Sequence, residues 1–445
     1  MADRTLEQWL DYQQRVHARG IDLGLDRVRE VWRRMGTPRI ARAVITIGGT
    51  NGKGSTVAFL QAMLRAGRMR VGAYTSPHVL RYNERVKIDG EEAADEALIA
   101  AFERIETARG ADRADAIPLT YFEFGTLAAF DIFSRANLDV ALLEVGLGGR
   151  LDAVNLIDAD AAIVTTVDLD HMEWLGNDRE SIGREKAGIF RAGKPAIVGE
   201  SDPPRSLIDA AHRIDADLRV LGRDFDWIPQ IDAMTWRRIK GGRGDQFAGD
   251  DEARYTVSGG LALAGTFQYD NAAAAIAALD ALGDRVEWDP RTITIDRFGS
   301  EQVFLPGRLQ KIADAPQVIV DVAHNPQAAR KLSNWLGANP VAGKNVAVFG
   351  ALSDKDIAGI VHALQPRIAH WYLAGLESES TRGLSVAELA RRVYKAEPGA
   401  SLRECSDVQS ALQAARAEAA THDRVIAFGS FFVVAAAMRQ PGSLG

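Results

Sequence analysis

The chain has 445 residues, of which 47% are hydrophobic and 25% are charged, and its formal net charge at pH 7 is −7. This length predicts two domains, and the negative charge excludes a basic surface for nucleic acid or for an anionic membrane. The single cysteine, Cys405, excludes an intrachain disulfide framework and a cysteine-rich zinc site. No apolar stretch of the sequence is long enough to span a membrane. We therefore expect a monomeric, cytoplasmic protein without nucleic-acid or membrane partners.

The first predicted strand ends in a glycine-rich turn that has the features of a triphosphate-binding loop. Two short helices are predicted within residues 5–35, and the strand AVITIG then leads into GTNGKGST. Glycines allow backbone N–H groups to converge on phosphate oxygens, the following helix offers its positive end, and Lys53 adds a charge. Gly54 separates Lys53 from Ser55, which argues against an ordinary GTPase or transport ATPase. The alternative interpretation is a purely structural glycine-rich turn.

Continuous apolar runs alternate with helical patterns in the first half of the chain. We predict a helix near residues 53–66, a strand at 70–75, helices at 91–109 and 121–136, and strands at 139–146 and 159–168. Residues 222–268 change character and predict a small hairpin or β insertion, which is followed by a helix at 269–282. This alternation predicts a parallel-sheet α/β domain of the P-loop ATPase type, with its ligands at the carboxyl ends of the strands.

Four polar motifs follow predicted strands of this first domain. Ser76 either ligates Mg²⁺ or forms a Ser-Pro turn. Glu144 lies in an apolar run, where its charge requires Mg²⁺ or an ion pair with Arg150. His171 lies in an acidic cluster and either binds a metal or orients a carboxylate. Lys186, next to an acidic residue at a predicted helix start, is expected to be a solvated surface charge.

The alternation of strands and helices restarts in the last third of the chain. Strands are predicted at 318–322, 346–350, 371–375 and 425–429, and helices separate them. We place the domains at residues 1–298 and 299–445, with the linker within about residues 286–306. The second domain is expected to be smaller, Rossmann-like and α/β.

Polar residues also flank the first strand of this second domain. Asp321, His324 and Asn325 lie at the end of that strand, ahead of a helix begun by Pro326. Arg308 can grip a phosphate or a carboxylate. Each of these residues can instead be a helix cap or a surface charge.

As a set, these motifs resemble those of the folylpolyglutamate synthase family, which belongs to the Mur-ligase-like ATP-dependent amide ligases. The similarity follows the family's order along nearly the whole chain: GGTNGKGST, YTSPHVLRYNERV, LTYFEFGTLAAF, EVGLGGRLDAVN, DHMEWLG, EKAGIF, PGRLQ, DVAHNP and FGSFFVV. The family's phosphate loop carries a glycine after its lysine, which accounts for Gly54. The resemblance implies ATP and Mg²⁺ as cofactors.

The resemblance also implies a role for each motif residue. It assigns ATP binding to Thr50, Asn51, Gly52, Lys53, Gly54, Ser55, Asn271, Arg308 and Asp321. It assigns the metal to Ser76, Glu144, His171 and Lys186, the last as an N6-carboxylysine, which contradicts the surface interpretation of this lysine. It assigns dihydropteroate or folate binding to Thr120, Tyr121, Phe122, Leu151, Asp152 and Ala153. Lys53, Lys186 and His171 are the expected catalytic residues, and His324 and Ser430 are expected on the glutamate side.

The activity implied by the resemblance is the ATP-dependent addition of L-glutamate to dihydropteroate and to the γ-carboxylate of reduced folyl-glutamates. An acyl phosphate is the expected intermediate, and ADP and phosphate are the expected by-products. The segment LTYFEFGT favours both activities over folate extension alone. The alternatives are a folate-only synthase, another Mur-type amino-acid ligase such as a cell-wall precursor ligase, and a non-catalytic nucleotide-binding regulator. Glutamate-dependent ATP turnover separates that regulator from the enzymes.

Overall fold

The computed structural model describes residues 4–230, 233–239, 254–258, 263–286, 303 and 305–439. The chain divides into two compact units, an N-terminal unit (Met1–Val167, Glu173–Ala262 and Gln268–Phe304) and a C-terminal unit (Asp168–Met172, Leu263–Phe267 and Leu305–Gly445). Most of the predicted linker, about residues 286–306, lies outside the described residues. The boundary between residues 298 and 299 therefore stays a prediction.

The N-terminal unit is built on one large sheet. Its strands are β1 (Ala43–Gly48), β2 (Val71–Tyr74), β3 (Val86–Ile88), β4 (Glu91–Glu92), β5 (Val140–Glu144), β6 (Ala161–Val164), β7 (Pro195–Val198) and β8 (Asp217–Val220), in the order β4-β3-β2-β5-β1-β6-β7-β8. All neighbours pair in parallel except the antiparallel edge formed by β2, β3 and β4. Since β5 and β6 flank β1, the carboxyl ends of these three strands meet at one edge, where ligands of such sheets bind.

Helices pack around this sheet, and those that the sequence predicted lie near their predicted positions. They are α1 (Leu6–Val16), α2 (Asp26–Arg34), α3 (Lys53–Ala66), α4 (Asp95–Arg109), α5 (Tyr121–Ser134), α6 (Met172–Leu175), α7 (Arg179–Lys186), α8 (Arg205–Arg213) and α9 (Phe267–Leu282), with 3₁₀ turns at Tyr82–Arg85, Ala153–Leu156 and Ala187–Ile189. Of these, α6, α7 and α8 had no predicted bounds. The helix predicted from residue 91 begins at Asp95, because Glu91 and Glu92 pair with β3. Thr5 and Thr120 begin α1 and α5 as capping boxes, which satisfy N–H groups that a helix start leaves open.

The predicted β insertion is confirmed in the part of it that the structure describes. It contains β9 (Phe225–Gln230), β10 (Ala233–Arg238) and β11 (Arg254–Ser258), which pair antiparallel in the order β11-β10-β9. Trp236 stacks on Phe225 with ring centroids 6.2 Å apart, and its Nε1 donates to the Ala273 carbonyl at 3.1 Å. The insertion is thus fixed to α9.

The C-terminal unit has its own six-stranded sheet among the described residues. The strands are β12 (Gln310–Asp314), β13 (Gln317–Val320), β14 (Asn345–Phe349), β15 (His370–Ala374), β16 (Leu402–Cys405) and β17 (Arg424–Phe428), in the order β12-β13-β17-β14-β15-β16. The helices are α10 (Pro326–Ala338), α11 (Ile357–Leu364), α12 (Val386–Ala396), α13 (Val408–Glu418) and α14 (Phe431–Met438). Only β12 runs antiparallel, so the sheet is mixed. The α/β class is confirmed for both units, and no helix in the described ranges is long and apolar enough to cross a membrane.

Candidate functional site

The turn after β1 is held against the end of β6 by hydrogen bonds. Thr50 N donates to the Thr166 carbonyl at 2.7 Å, and Asn51 N donates to Thr166 Oγ1 at 3.1 Å. Thr165 Oγ1 donates to the Asn51 carbonyl at 2.7 Å. Neither threonine was among the sequence candidates. Two hydroxyl residues that follow a strand next to a glycine-rich loop are the signal that could have revealed them.

Glycines allow this close approach and open the helix that follows. Gly49 has φ +139°, and a Cβ there would lie 1.9 Å from Thr165 Oγ1. Gly52, with φ +94°, begins α3 without a side chain to cap it, which is the kind of helix end that binds anions. Lys53 Nζ donates to the carbonyls of Gly49 (3.0 Å) and Thr50 (3.2 Å), so its charge lies over the turn.

Asn271 of α9 lies against the same turn. A Cβ at Gly52 would lie 2.3 Å from Asn271 Oδ1, and Asn271 Nδ2 donates to Gln268 Oε1 at 2.8 Å. Ser55 is buried in the first turn of α3, next to Gly54. The structure therefore brings Asn271 to the segment that contains the other predicted ATP residues of the N-terminal unit.

Glu144 ends β5 with only 5% of its surface exposed, and it contacts Ser76. Glu144 Oε2 accepts a hydrogen bond from the Ser76 backbone N at 3.1 Å. The alternative ion pair between Glu144 and Arg150 is wrong, because Arg150 pairs with Glu185 at 3.0 Å. Two of the predicted metal ligands thus lie together.

Lys186 is buried, so its interpretation as a solvated surface charge is wrong. It is the last residue of α7 rather than the first residue of a helix, and only 4% of its surface is exposed. The end of α7 packs on the glycine-rich loop after β5: a Cβ at Gly149 would lie 3.0 Å from the Glu185 carbonyl and 3.1 Å from the Lys186 carbonyl. This packing brings Lys186 to the loop that follows Glu144.

The arrangement fits a cation that is held mainly by nucleotide phosphates. No group of three or more His, Cys, Asp or Glu side chains able to hold a metal ion occurs in the part of the chain that the structure describes. Mg²⁺ at phosphate sites takes only one or two protein carboxylates, and buried Glu144 supplies one. His171 belongs by its packing to the C-terminal unit, where its Nε2 lies 4.0 Å from Asp170 Oδ1.

In the predicted pteroate segment at the start of α5, some residues stabilise the helix start. Thr120 caps the helix, and Glu123 Oε2 accepts hydrogen bonds from Thr120 N (2.8 Å) and Thr120 Oγ1 (2.9 Å). Arg27 Nε donates to the same Glu123 oxygen at 3.0 Å. Half-buried Phe122 packs on the loop after β5, since a Cβ at Gly146 would lie 2.5 Å from Phe122 Cζ. Of these residues, Phe122 offers an apolar surface to a ligand.

Asp152 shapes the second predicted pteroate segment. Its Oδ2 accepts a hydrogen bond from Leu147 N at 2.8 Å, and its Oδ1 accepts one from Val154 N at 3.0 Å. Burial raises the pKa of Asp152 to about 6, against the lowering effect of these hydrogen bonds. Half-buried Leu151 and buried Ala153 flank it. The carboxyl group therefore ties the two ends of the loop together.

Sequence reasoning missed a buried cation after β2. Arg85 is 8% exposed, its Nε donates to His78 Nδ1 at 2.9 Å, and its Cζ lies 5.2 Å and 5.4 Å from the ring centroids of Tyr82 and Tyr121. Burial raises the pKa of Tyr82 well above its usual value. Arg85 stands inside the motif YTSPHVLRYNERV, but its burial has no sequence signal of its own.

Predicted residues of the C-terminal unit gather near Phe431. Arg308 Cζ lies 5.5 Å from the Phe431 ring centroid, and the His324 ring lies 6.2 Å from it. Asp321 accepts hydrogen bonds from two backbone N–H groups at 2.9 and 2.8 Å, and burial raises its pKa although Arg308 opposes this. Ser430 caps α14 by accepting a hydrogen bond from a backbone N–H at 3.2 Å. The structure thus collects the four predicted residues of this unit at the carboxyl edge of its sheet.

A second buried cation, Lys355, was also missed. Lys355 Nζ lies 2.7 Å from Asp170 Oδ1, while Asp170 Oδ2 is 3.2 Å from Asn325 Nδ2 and 3.4 Å from His324 Nε2. Burial alone would raise the pKa of Asp170, but His324, His171 and Lys355 hold it well below its usual range. Asp170 therefore fixes the positions of His324 and Lys355.

Comparisons with known proteins agree along the chain. Residues 47–279 match the Mur ligase middle domain, and residues 307–431 match the Mur ligase, glutamate ligase domain. The chain is 43% identical to a dihydrofolate synthase/folylpolyglutamate synthase of Escherichia coli (strain K12), over 98% of this chain and 96% of that protein.

Solved structures show the same similarity. The chain superimposes with a TM-score of 0.87 and 42% identity on E. coli FolC in complex with DHPP and ADP, with 98% of both chains covered. It superimposes with a TM-score of 0.83 and 42% identity on a bifunctional folylpolyglutamate synthase/dihydrofolate synthase with Mn, AMPPNP and L-glutamate bound, again with 98% of both chains covered.

Proposed function

Because the chain belongs to the dihydrofolate synthase/folylpolyglutamate synthase family, it is an ATP-dependent ligase of folate metabolism, and we propose how its residues perform the reaction. The reaction joins L-glutamate to dihydropteroate or to the γ-carboxylate of a reduced folyl-glutamate. One observation carries the assignment of the residues. The phosphate turn, which contains Lys53 and contacts Asn271, follows β1. Glu144 ends β5, the strand that pairs with β1.

The first step activates a carboxylate, which resists attack by an amine because it is negative and has no good leaving group. The substrate carboxylate attacks the γ-phosphorus of ATP, which forms an acyl phosphate and releases ADP. Lys53 and the N-terminal end of α3 stabilise the charge on the transferring phosphoryl oxygens. Mg²⁺ held by Glu144 and Ser76 would add positive charge at the same phosphates. Positioning and electrostatics therefore supply most of the catalysis.

In the second step the α-amino group of L-glutamate attacks the acyl carbon, and the tetrahedral intermediate collapses to an amide and phosphate. We place L-glutamate by His324 and Ser430, and the nucleotide contacts of the C-terminal unit at Arg308 and Asp321. Support comes from their grouping at the carboxyl edge of this unit's sheet. His324 is itself held by Asp170 through its Nε2, 3.4 Å away.

Lys186 is proposed to function as an N6-carboxylysine. An ammonium group with 4% of its residue exposed is costly to bury. Carbamylation converts the cation into an anion with two oxygen ligands, which suits the hard cation that nucleotide phosphates carry. The end of α7, packed on the loop after Glu144, holds the side chain in this region.

Product analysis tests the proposed function. The protein is incubated with ATP, Mg²⁺ and L-glutamate, together with dihydropteroate in one reaction and tetrahydrofolate in another. We expect dihydrofolate in the first, a glutamate-extended folate in the second, and one ADP for each amide. Product from tetrahydrofolate alone would indicate a folate-only synthase, and product from neither would refute the proposal.

A lysine pair provides the control for this assay. Lys53→Ala should retain the fold and lose turnover, because the charge at the phosphate turn is removed. Lys311→Ala should retain turnover, because Lys311 lies at the exposed edge of the other sheet, where it pairs with Asp314 at 2.6 Å. Equal activity of the two variants would contradict the role of Lys53.

A further inference from the structure

Arg85 places a guanidinium group inside the N-terminal unit without an acidic partner among the described residues. Only 8% of its surface is exposed. Its neighbours are His78, whose Nδ1 accepts from Arg85 Nε and is therefore unprotonated, and the rings of Tyr82 and Tyr121. By contrast, buried Arg109 pairs with Glu106 at 2.7 Å. Arg85 is thus surrounded by neutral groups.

These neutral neighbours compensate the buried charge only in part. Arginine stays protonated in proteins, so Arg85 cannot escape the cost of burial by losing its proton. The two tyrosine rings recover part of the lost hydration through cation–π contact. Its Nε donates to His78 Nδ1, and its charge acts on the Tyr74 hydroxyl, but the described residues provide no carboxylate as an acceptor for the guanidinium. A carboxylate supplies both the missing charge and two acceptors in matching geometry.

Arg85 lies next to the proposed pteroate segment. Tyr121, one of its two ring partners, is the first residue of α5 and precedes Phe122. Tyr74 connects the two sides, because its ring centroid lies 6.0 Å from that of Phe122 and its hydroxyl interacts with Arg85. The backbone is fixed as well, since Thr75 N donates to the Arg85 carbonyl at 2.9 Å. The guanidinium is therefore presented by a rigid element.

The Tyr82 hydroxyl is a second independent sign of a missing ligand. It is buried, and it has no hydrogen-bond partner within the described ranges. A buried hydroxyl without a partner is costly and uncommon in folded proteins. Tyr82 lies under Arg85 and edge-on to Tyr121, with ring centroids 5.7 Å apart. A buried hydroxyl without a partner and a guanidinium without an acidic partner in the described ranges thus belong to one cluster.

We propose that Arg85 binds a carboxylate of the pterin-bearing substrate, with the Tyr82 hydroxyl as an additional donor. The proposal rests on the proposed function, because that function supplies the carboxylate substrates. Two carboxylates fit this chemistry. One is the reacting carboxylate, which dihydropteroate and folyl-glutamates both possess, and the other is the α-carboxylate, which only folyl-glutamates carry.

Arg85→Met removes the charge, and Arg85→Lys retains the charge but loses the fork. Arg81→Met is the matched control, because Arg81 lies in the same segment with 64% of its side chain exposed. Its guanidinium lies 3.7 Å from Asp95 and 3.8 Å from Glu92, whereas its short hydrogen bond to Glu84 uses the backbone N and survives the substitution. Steady-state kinetics should show the KM for tetrahydrofolate raised about tenfold to a hundredfold in Arg85→Met, less in Arg85→Lys and not in Arg81→Met. The KM for dihydropteroate should rise in the same way only where Arg85 binds the reacting carboxylate. The KM values for ATP and L-glutamate should not change.

Activity with dihydropteroate and with tetrahydrofolate shows which of the two carboxylates Arg85 binds. A loss confined to tetrahydrofolate extension assigns Arg85 to the α-carboxylate, and a loss with both substrates assigns it to the reacting carboxylate. Unchanged KM for both would overturn the proposal. Equal weakening of 6-hydroxymethylpterin, which carries no carboxylate, would overturn it too, because Arg85 would then contact the ring.

Thermal unfolding separates ligand binding from a structural role. Unliganded Arg85→Met should unfold at the wild-type midpoint or above it, because no ion pair is lost, and the upward shift caused by the pterin substrate should disappear. A lower midpoint without ligand would indicate a structural cation and overturn the proposal. Wild-type protein that binds the pterin substrate but forms no amide would refute the proposed function. The role of Arg85 could then still be tested by the rise in unfolding midpoint that the pterin substrate causes.

Discussion

Gly49→Ala should destabilise the N-terminal unit and weaken nucleotide binding through the same displacement. The new Cβ would lie 1.9 Å from Thr165 Oγ1 and 3.0 Å from Thr165 N, so one of the two residues must move. Thr165 Oγ1 donates to the Asn51 carbonyl at 2.7 Å and lies 3.2 Å from the Gly48 carbonyl. Moving that hydroxyl breaks the hydrogen bonds that shape the phosphate turn.

Two terms contribute to the loss of stability. The backbone at φ +139° is unfavourable for alanine and costs about 1–3 kcal/mol. Overpacking against Thr165 adds about 1–3 kcal/mol, which gives a total of about 2–6 kcal/mol. Gly193→Ala isolates the first kind of cost, because Gly193 has φ +65° and nothing lies within 4 Å of its added Cβ. The control should therefore lose about 1–2 kcal/mol.

Urea unfolding and calorimetric titration with ADP measure the two effects. Gly49→Ala should be less stable than Gly193→Ala and should bind ADP more weakly, whereas Gly193→Ala should bind ADP like wild type. Thr165→Ala removes the clashing hydroxyl, so the double variant with Gly49→Ala should lose less stability than the sum of the single variants. Equal stability of the two glycine variants, or additive losses in the double variant, would refute the steric reasoning.

Three further predictions concern buried charges. Burial raises the pKa of Asp152 from 3.8 to about 6, so between these pH values the folded protein binds one more proton than the unfolded chain. The free energy of unfolding of wild type, relative to that of Asp152→Asn, should therefore fall by about 3 kcal/mol between pH 4 and pH 7. Urea unfolding across this range measures it, and a constant difference would contradict it. Lys186→Ala should lower turnover at least about a hundredfold. It should also lack the ¹³C-carbamate NMR signal that wild-type protein is expected to show in labelled bicarbonate. A Lys186→Ala protein with the turnover of wild type would exclude a role of Lys186 as a metal ligand. Asp170→Asn should cost about 3 kcal/mol, because buried Lys355 loses its partner at 2.7 Å and keeps a longer contact with Asp354 at 3.3 Å. Adding Lys355→Met should restore part of this loss, because it removes the weakly paired charge. A double variant no more stable than Asp170→Asn would show that this ion pair is not the cause.

The central strands could be predicted because their burial leaves a direct trace in the sequence. Every residue of β1 is buried, and β5 and β17 are also buried throughout, so each appears as a continuous apolar run. Glycine or a polar residue ends or follows the first two runs, which located the phosphate turn and Glu144 at strand ends. The fold class and these candidate positions therefore followed from local patterns alone.

Edge strands and long-range neighbours left no such trace. β16 has one buried residue among four and lies at the edge of its sheet in the described part of the chain, so it lacks both an apolar run and a clean alternation. Asn271 lies next to Gly52 because α9 packs back onto the sheet, which no local pattern encodes. The burial of Lys186 likewise depends on contact between α7 and a loop from another part of the chain.

Several motif residues of this protein form hydrogen bonds with the backbone of their own loops. Thr120, Asp152, Asp321 and Ser430 each accept hydrogen bonds from nearby backbone N–H groups. Replacing one of them should deform a loop that carries several ligand contacts, and should therefore alter more than one KM together. Lys53 instead holds its charge over the turn by its side-chain tip, so its replacement should act on phosphoryl transfer while the loop retains its shape. Whether one kinetic constant changes or several therefore separates residues that bind substrate from residues that shape the site.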